Sequence, residues 1–194
     1  MGAKEQMVSI LRSEETARIS FSFTGSAVGM SLGRPISLNG ATFRRVATGL
    51  SNNTLHVVEG HFDENRMVYA AWDDDTNGYE ANTFYLGNTP RYSRDFNGLV
   101  VHESVHAYFD LARTSIQWVD NEAAAYIAQA YYLRNSGYSQ SRMPLGSPIR
   151  IASMAIGDMR AGGDASTLID AIRDSLRNNP DYESYIGGSF TGDG

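Results

Sequence analysis

The segment that most constrains the fold runs from Gly98 to Ala112, because it is apolar on nearly every face of a helix yet carries ionisable side chains. A helix that is apolar all round is buried in the protein. Buried polar groups need partners, so these side chains must bind one another, a metal ion, or both. They are His102, Glu103, His106 and Asp110. The segment therefore predicts a buried central helix that contains a polar site.

The spacing of the two histidines favours a metal ion. Residues four apart project from the same face of a helix about one turn apart, so His102 and His106 can reach a single ion. Glu103 lies beside them and can contact a water molecule held on that ion without binding the ion itself. The pattern H-E-x-x-H thus predicts one Zn²⁺ ion per chain, with Glu103 as the general base.

Two histidines leave a catalytic zinc ion short of a ligand, because such sites use three protein ligands and one open position. The extended pattern H-E-x-x-H-x-x-G-x-x-H is excluded, since Phe109 and Ala112 stand where it needs glycine and histidine. Glu122 is the first candidate, at the start of an alanine-rich segment with strong helix propensity. Asp120 is the alternative, although it is well suited to cap that helix.

A helix with H-E-x-x-H followed by a second helix with a glutamate near its start resembles the arrangement in the gluzincin branch of the zinc metallopeptidases, the group that includes thermolysin. The resemblance covers about residues 93–135 and is carried by H-E-x-x-H on the first helix and by Asn121-Glu122-Ala123 on the second. The chain departs from the thermolysin pattern at Tyr126, where that pattern has an aspartate, and in a shorter interval between the second histidine and the glutamate.

The resemblance implies a set of roles for particular residues. The zinc ligands would be His102, His106 and Glu122, with Glu103 as the base. Asp110 would be a second-layer carboxylate that accepts a hydrogen bond from the ring N–H of a ligating histidine. Residues 82–86, directly before the motif helix, would form the edge strand that pairs with an extended peptide substrate in that family.

Further side chains are candidates for contact with the substrate. The predicted substrate contacts are Phe84, Tyr85, Tyr108 and Tyr126. A hydrogen-bond donor to the oxyanion of the reaction is also needed. The candidates for that donor are Tyr108, Tyr126, Tyr138 and His61.

The first half of the chain carries strand patterns. Residues 53–59, 65–72 and 82–86 are rich in β-branched and aromatic residues, and apolar and polar residues alternate from Ile19 to Phe23. The segment that follows, as far as Leu50, is broken by glycines, including Gly29, and predicts short strands and turns.

These patterns predict one compact α+β domain. Residues 1–92 form a mainly β part, residues 93–186 a helical part with the zinc site, and residues 187–194 a glycine-rich flexible tail. The expected architecture is zincin-like, with a small and mainly antiparallel sheet packed on the motif helix.

Composition excludes several classes of partner. The net charge of −6 argues against nucleic acid. No apolar stretch is long enough to span a membrane and the amino terminus lacks an apolar signal core, so we expect no membrane partner, and either a cytoplasmic protein or export by a non-classical route. The absence of cysteine excludes disulfides and thiolate ligands.

The function indicated is a zinc-dependent metallopeptidase that acts on a peptide or protein substrate. In this hypothesis Glu103 takes a proton from a zinc-bound water and delivers it to the departing amine. One alternative is a catalytically inactive zincin-fold module that binds metal for recognition or structure, and another is a different zinc hydrolase. Glu103 argues against the inactive module, because a non-catalytic site needs no base.

Overall fold

The computed structural model describes residues 2–27, 33–185 and 187–194, which form an α+β fold. The helices are α1 (Ala3–Leu11), α2 (Glu14–Ala17), α3 (Gly40–Ser51), α4 (Arg94–Leu111), α5 (Trp118–Asn135), α6 (Pro148–Arg160) and α7 (Ser166–Arg177), with short 3-10 helices at Gln140–Arg142 and Pro180–Tyr185. The strands are β1 (Ser20–Thr24), β2 (Pro35–Asn39), β3 (His56–Phe62), β4 (Met67–Ala70), β5 (Thr83–Gly87), β6 (Ser115–Gln117) and β7 (Ser189–Thr191). Gly29 lies outside the described residues. Within them, no helix has the length and apolar character needed to cross a membrane.

The strands of the described residues form three small sheets. β1 pairs antiparallel with β2, and β6 pairs antiparallel with β7. The central sheet has the order β3-β5-β4, in which β5 is parallel to β3 and antiparallel to β4. The strand predictions in the first half are thus confirmed, but β5 is the middle strand of its sheet.

Helix α4 is the centre of the fold. The Ser93 hydroxyl accepts a hydrogen bond from the Phe96 N–H, as the capping residue of a helix start does. The helix packs against α1, α3, α5 and β4. Its apolar residues Val100, Val101 and Val105 are fully buried. The predicted buried helix is therefore confirmed, and the protein interior must satisfy its polar residues.

Helix α5 begins at Trp118, so Asp120 does not cap it as predicted. The Asp120 carboxylate instead accepts hydrogen bonds from the backbone N–H and the hydroxyl of Ser26. It also forms an ion pair with Arg173, whose guanidinium lies 2.7 Å away and donates to the Thr24 carbonyl as well. This buried pair connects the start of α5 to α7 and to the end of β1.

The amino-terminal part contains more helix than predicted. α3 occupies Gly40–Ser51, where glycines predicted turns. Its start is satisfied because Asn39 and Thr42 exchange side-chain hydrogen bonds with the backbone in a capping box. Gly49 permits close packing, since a Cβ there would come within 2.8 Å of Leu55. The prediction that residues 1–92 are mainly β is therefore wrong for this segment.

The glycine-rich residues 187–194, predicted to be a flexible tail, are joined to the fold instead. β7 pairs with β6, and its Phe190 side chain is buried. The N–H groups of Asp193 and Gly194 donate to the buried carboxylate of Asp110 at 3.0 and 3.3 Å. Backbone groups at the end of the chain therefore have partners that a flexible segment lacks.

Replacing Arg173 with leucine should strongly destabilise the protein. The change leaves the buried Asp120 carboxylate without its cation, which costs about 3–5 kcal/mol. Arg177→Leu is the matched control, because Arg177 pairs with Asp174 at the solvent-exposed surface of the same helix and should cost about 1 kcal/mol or less. Urea unfolding measures both. Equal losses in the two variants would show that Asp120 does not depend on the ion pair.

Candidate functional site

A cleft of about 960 Å³ is lined by His102, Glu103 and His106 of α4. The polar side chains that line it include those of His102, Glu103, His106, Asn121, Glu122 and Gln129. Strand β4 and its flanking residues line it as well, and the chain after α7 contributes Asp181, Tyr182, Ser184, Tyr185 and Gly188 to Phe190. The cleft is therefore built by α4, α5, an edge strand and the carboxyl-terminal segment.

Two histidines and a glutamate meet in this cleft. His102 and His106 lie on one face of α4, and Glu122 lies near the start of α5. The Nε2 atom of His102 is 3.4 Å from Oε2 of Glu122, and the Nε2 atom of His106 is 3.4 Å from Oε1. All three side chains are buried. Because Asp120 is paired with Arg173, Glu122 is the acid that the fold brings to the histidines.

Amide oxygens of α5 lie within hydrogen-bond distance of the Nδ1 atoms of both imidazole rings. His106 Nδ1 is 2.9 Å from Oδ1 of Asn121, and His102 Nδ1 is 3.2 Å from Oε1 of Gln129. An amide oxygen can only accept a hydrogen bond, so Nδ1 carries the proton in each ring. In the neutral ring each Nε2 atom then has a lone pair directed toward Glu122, which is the form that binds a metal ion.

The two glutamates of the cleft differ in their electrostatics. Burial raises the pKa of Glu103 from 4.5 to about 7, and the neighbouring carboxylate of Glu122 adds to this, against the opposing effects of His106 and of the Tyr69 N–H. That N–H donates to Glu103 Oε2 at 2.9 Å. Burial also acts to raise the pKa of Glu122, but the imidazoles of His106 and His102 lower it overall. Glu122 is thus a carboxylate at neutral pH, whereas Glu103 exchanges a proton in that range.

The buried group of His102, Glu103 and His106 could hold a metal ion, since its ligand atoms lie within 4.8 Å of one another. Glu122 is better suited than Glu103 to be the third ligand, because its oxygens face both Nε2 atoms whereas Glu103 is held by the Tyr69 N–H. Oε2 of Glu122 is buried and makes no hydrogen bond to any described residue. Such an oxygen is costly unless a cation binds it. The set of His102, His106 and Glu122 therefore fits a metal ion.

Asp110 does not hold a histidine, which corrects the role that the resemblance implied. Its Oδ2 atom accepts a hydrogen bond from the Tyr69 hydroxyl. Its Oδ1 atom accepts from the N–H groups of Asp193 and Gly194. The carboxylate is fully used by these three donors, and Asn121 and Gln129 occupy the positions behind the rings. Asp110 therefore connects α4 to β4 and to the end of the chain.

The prediction that residues 82–86 form the edge strand is wrong, because β5 lies between β3 and β4. Phe84 is fully buried against Tyr69, and Tyr85 is buried with its hydroxyl accepting from the Glu80 N–H. Neither side chain lines the cleft. The strand that borders the cleft is β4. The Tyr69 N–H points away from β5 toward Glu103, so alternate backbone groups of β4 face the site.

Of the remaining tyrosines, one lies in the cleft as predicted. Tyr126 lines it, and its ring meets His102 edge-on with 4.7 Å between ring centroids. Tyr108 lies beside Arg45 outside the cleft. Tyr138 and His61 are also outside the residues that line it. The hydroxyl of Tyr126 is 3.0 Å from the hydroxyl of Tyr182. Tyr182 is not among the site residues predicted from the sequence.

Aromatic rings line the rest of the cleft. Trp118 stacks on Tyr185 with 5.7 Å between ring centroids, and its ring is 5.0 Å from that of Tyr182. Trp72 lies 5.7 Å from Phe190 and is half exposed. These contacts join the carboxyl-terminal segment to the start of α5 and to the end of β4.

Gln129, Tyr69 and Tyr182 are the site residues that the sequence did not reveal. Gln129 follows Glu122 by two turns of α5, and a polar residue at that spacing in an alanine-rich helix is a usable signal. The contribution of Tyr69 to Glu103 is a backbone N–H, which any residue would supply. Tyr182 lies in a 3-10 helix without periodicity.

Comparison of the chain with protein-family models, with curated proteins and with solved structures found no match. A functional assignment therefore depends on the chemistry of the site residues.

The buried Glu103 should make the metal-free protein less stable as the pH rises. Its pKa in the folded chain lies above its ordinary value of 4.5, so the folded chain holds the proton more tightly and stability is lost as the pH rises through about 7. After chelator treatment, Glu103→Gln should gain roughly 2 to 3 kcal/mol relative to the parent between pH 5 and pH 8.5. Unfolding in urea at the two pH values measures this gain.

Glu64→Gln is the matched control for that experiment. Glu64 is exposed near the cleft, so its replacement should change stability equally at both pH values. A gain for Glu103→Gln that does not depend on pH would mean that Glu103 is already ionised at pH 5.

Proposed function

We propose that this chain is a zinc-dependent metallopeptidase with the gluzincin ligand set and a zincin-like arrangement of α4, α5 and the central sheet. The observation that carries the proposal is the geometry of His102, His106 and Glu122, in which each Nε2 atom is 3.4 Å from a different carboxylate oxygen. A tetrahedral zinc ion with bonds of about 2.0–2.1 Å sets its ligand atoms about 3.4 Å apart.

The donor set supports zinc over other ions. Two imidazole nitrogens and one carboxylate oxygen form the ligand set of zinc hydrolases, whereas magnesium and calcium prefer ligands that are all oxygen. Three protein ligands leave one position open, as catalysis requires. Amide oxygens behind both rings fix the tautomer that presents Nε2, which is the usual support of a catalytic zinc ligand.

Glu103 is the proposed acid–base residue. A bound zinc ion would polarise the substrate carbonyl and make water more acidic. Glu103 takes the proton of the attacking water and delivers it to the departing amine. In the metal-free chain burial raises the pKa of Glu103 to about 7, so the carboxyl can both accept and release a proton near neutral pH. The Tyr69 N–H leaves one oxygen of Glu103 free to face the water.

A peptide substrate is favoured by the edge strand that borders the cleft. Because the Tyr69 N–H faces the site, the backbone groups of Met67, two residues earlier in the same strand, face it as well. An extended peptide can pair with such groups without regard to its side chains. The half-exposed ring of Trp72 adds an apolar surface at the end of the same strand.

Removal of a ligand or of the base should separate metal binding from catalysis. His102→Ala, His106→Ala and Glu122→Ala should each lose most of the bound zinc, because each removes one of three ligands. Glu103→Gln should retain zinc near one ion per chain and lose activity by about 10²-fold or more, because only the base is removed. Atomic emission and cleavage of an internally quenched peptide library provide the measurements.

His61→Ala is the control for these variants, because His61 lies outside the cleft and should keep both zinc and activity. Retention of zinc by both histidine variants would rule out the metal site. Full activity in Glu103→Gln would exclude the proposed base, and a chain that binds zinc but cleaves no peptide would be the inactive metal-binding module.

Loss of an amide behind an imidazole should weaken zinc binding without abolishing it. Asn121→Ala and Gln129→Ala should each lower zinc affinity roughly 10- to 100-fold, because the ring loses the partner that fixes its tautomer. Asp110→Asn should leave the affinity within about threefold, since its carboxylate is bonded elsewhere. Competition with a chromogenic chelator measures all three. A larger loss in Asp110→Asn than in the amide variants would restore the role implied by the resemblance.

A further inference from the structure

Hydrolysis of a peptide bond needs a hydrogen-bond donor to the oxyanion that develops on the carbonyl oxygen. Two donors in the cleft are already committed elsewhere. The Tyr69 N–H donates to Glu103. The Tyr69 hydroxyl donates to the buried Asp110. A donor for the reaction must therefore be sought among the remaining polar groups of the cleft.

A pair of tyrosines lies beside the ligands. Tyr126 follows Glu122 by one turn of α5, so the two side chains lie on the same face. Its ring meets His102 edge-on at 4.7 Å, and its hydroxyl is 3.0 Å from that of Tyr182. Tyr182 in turn packs on Trp118 at 5.0 Å. Tyr182 is thus positioned by contacts with two residues of α5.

A hydrogen bond between two hydroxyl groups uses only one of the two protons. The accepting tyrosine keeps its own proton for a further acceptor. When Tyr126 donates to Tyr182, the Tyr182 proton is free to point into the cleft. We propose that Tyr182, positioned by Tyr126, donates a hydrogen bond to the oxyanion formed during peptide hydrolysis, an inference that rests on the peptidase function proposed above. The proton stays on Tyr182 throughout, so the step transfers no group.

The electrostatic surroundings keep this donor protonated. Burial raises the pKa of Tyr182, and the carboxylates of Glu122 and Glu103 raise it further. At neutral pH the group therefore remains an O–H donor, which is the form that an oxyanion requires.

The rival donors are less well placed. Tyr108, Tyr138 and His61 do not line the cleft. Arg66 lines it, but its guanidinium lies over the Phe62 ring at 4.9 Å and 3.6 Å from a carboxylate oxygen of Glu64. Among these candidates Tyr126 alone combines a place in the cleft with contact to a ligand, and Tyr182 lines the cleft within hydrogen-bond distance of Tyr126.

Phenylalanine substitutions test the assignment, because they remove the hydroxyl and keep the ring. Tyr182→Phe should lower kcat about 10²- to 10³-fold while KM and zinc content stay near those of the parent. Tyr126→Phe should lower kcat less, because it only positions Tyr182, and the double variant should resemble Tyr182→Phe. Tyr92→Phe is the matched control, since Tyr92 is 76% exposed and lies outside the cleft. Zinc analysis and kinetics on the quenched peptide library provide the measurements.

A second readout does not require catalysis. Inorganic phosphate is a tetrahedral anion, and its binding to the Co²⁺-loaded protein can be followed in the visible spectrum. Tyr182→Phe should weaken phosphate binding about 10-fold or more, because a hydrogen bond to a charged group is lost. The control Tyr92→Phe should bind phosphate as the parent does.

The two readouts distinguish the failure of this inference from the failure of the proposed function. Inactivity of the parent protein toward peptides would overturn the peptidase, while phosphate binding would still report on Tyr182. The role of Tyr182 is overturned when Tyr182→Phe keeps kcat and phosphate affinity within about threefold of the parent, or when its activity falls only together with its zinc content. A large kcat loss on Arg66→Gln, with none on Tyr182→Phe, would assign the donor to Arg66.

Discussion

Ionisable side chains inside an otherwise apolar helix must be satisfied by groups from other parts of the chain. In α4 these buried side chains are His102, Glu103, His106 and Asp110, and the partner of each lies outside α4. Amides of α5 hold the imidazoles, a backbone N–H of β4 holds Glu103, and the end of the chain holds Asp110. The positions of β4, α5 and the carboxyl-terminal segment around α4 are thus tied to the same requirement, that the buried ionisable side chains of α4 have partners.

The sequence predicted those features of the fold that local patterns encode. The buried helix, the strands of the first half and the meeting of Glu122 with the histidines follow from periodicity, helix propensity and motif spacing. The order of strands does not follow from such patterns. The sequence pattern of a buried strand such as β5 is the same at the centre and at the edge of a sheet. The pattern therefore does not identify the strands that pair with it.

The errors at single residues have a common physical origin. Asp120 is a residue type that commonly caps helices, but its carboxylate pairs with the buried Arg173 of α7 instead. Glycines suggested turns in α3, yet Gly49 is needed for close contact with Leu55. Asp110 lies at the expected spacing from His106, and its acceptor capacity is taken by donors distant in sequence. In each case a long-range partner, which sequence alone does not show, decides between two locally acceptable roles.

The separation along the chain of the contacts that build the cleft has a consequence for folding. The amides that hold the imidazoles lie 15 and 27 positions from them, whereas Tyr126 contacts Tyr182 across 56 positions and Asp110 contacts Asp193 across 83. Closing a longer loop costs more conformational entropy, and contacts between distant positions form more slowly. The α4–α5 pair is therefore expected to assemble with its ligand geometry before the carboxyl-terminal segment docks. Folding would then proceed through a stage in which the candidate metal ligands are already together while the cleft still lacks the tyrosine and aromatic surface of that segment.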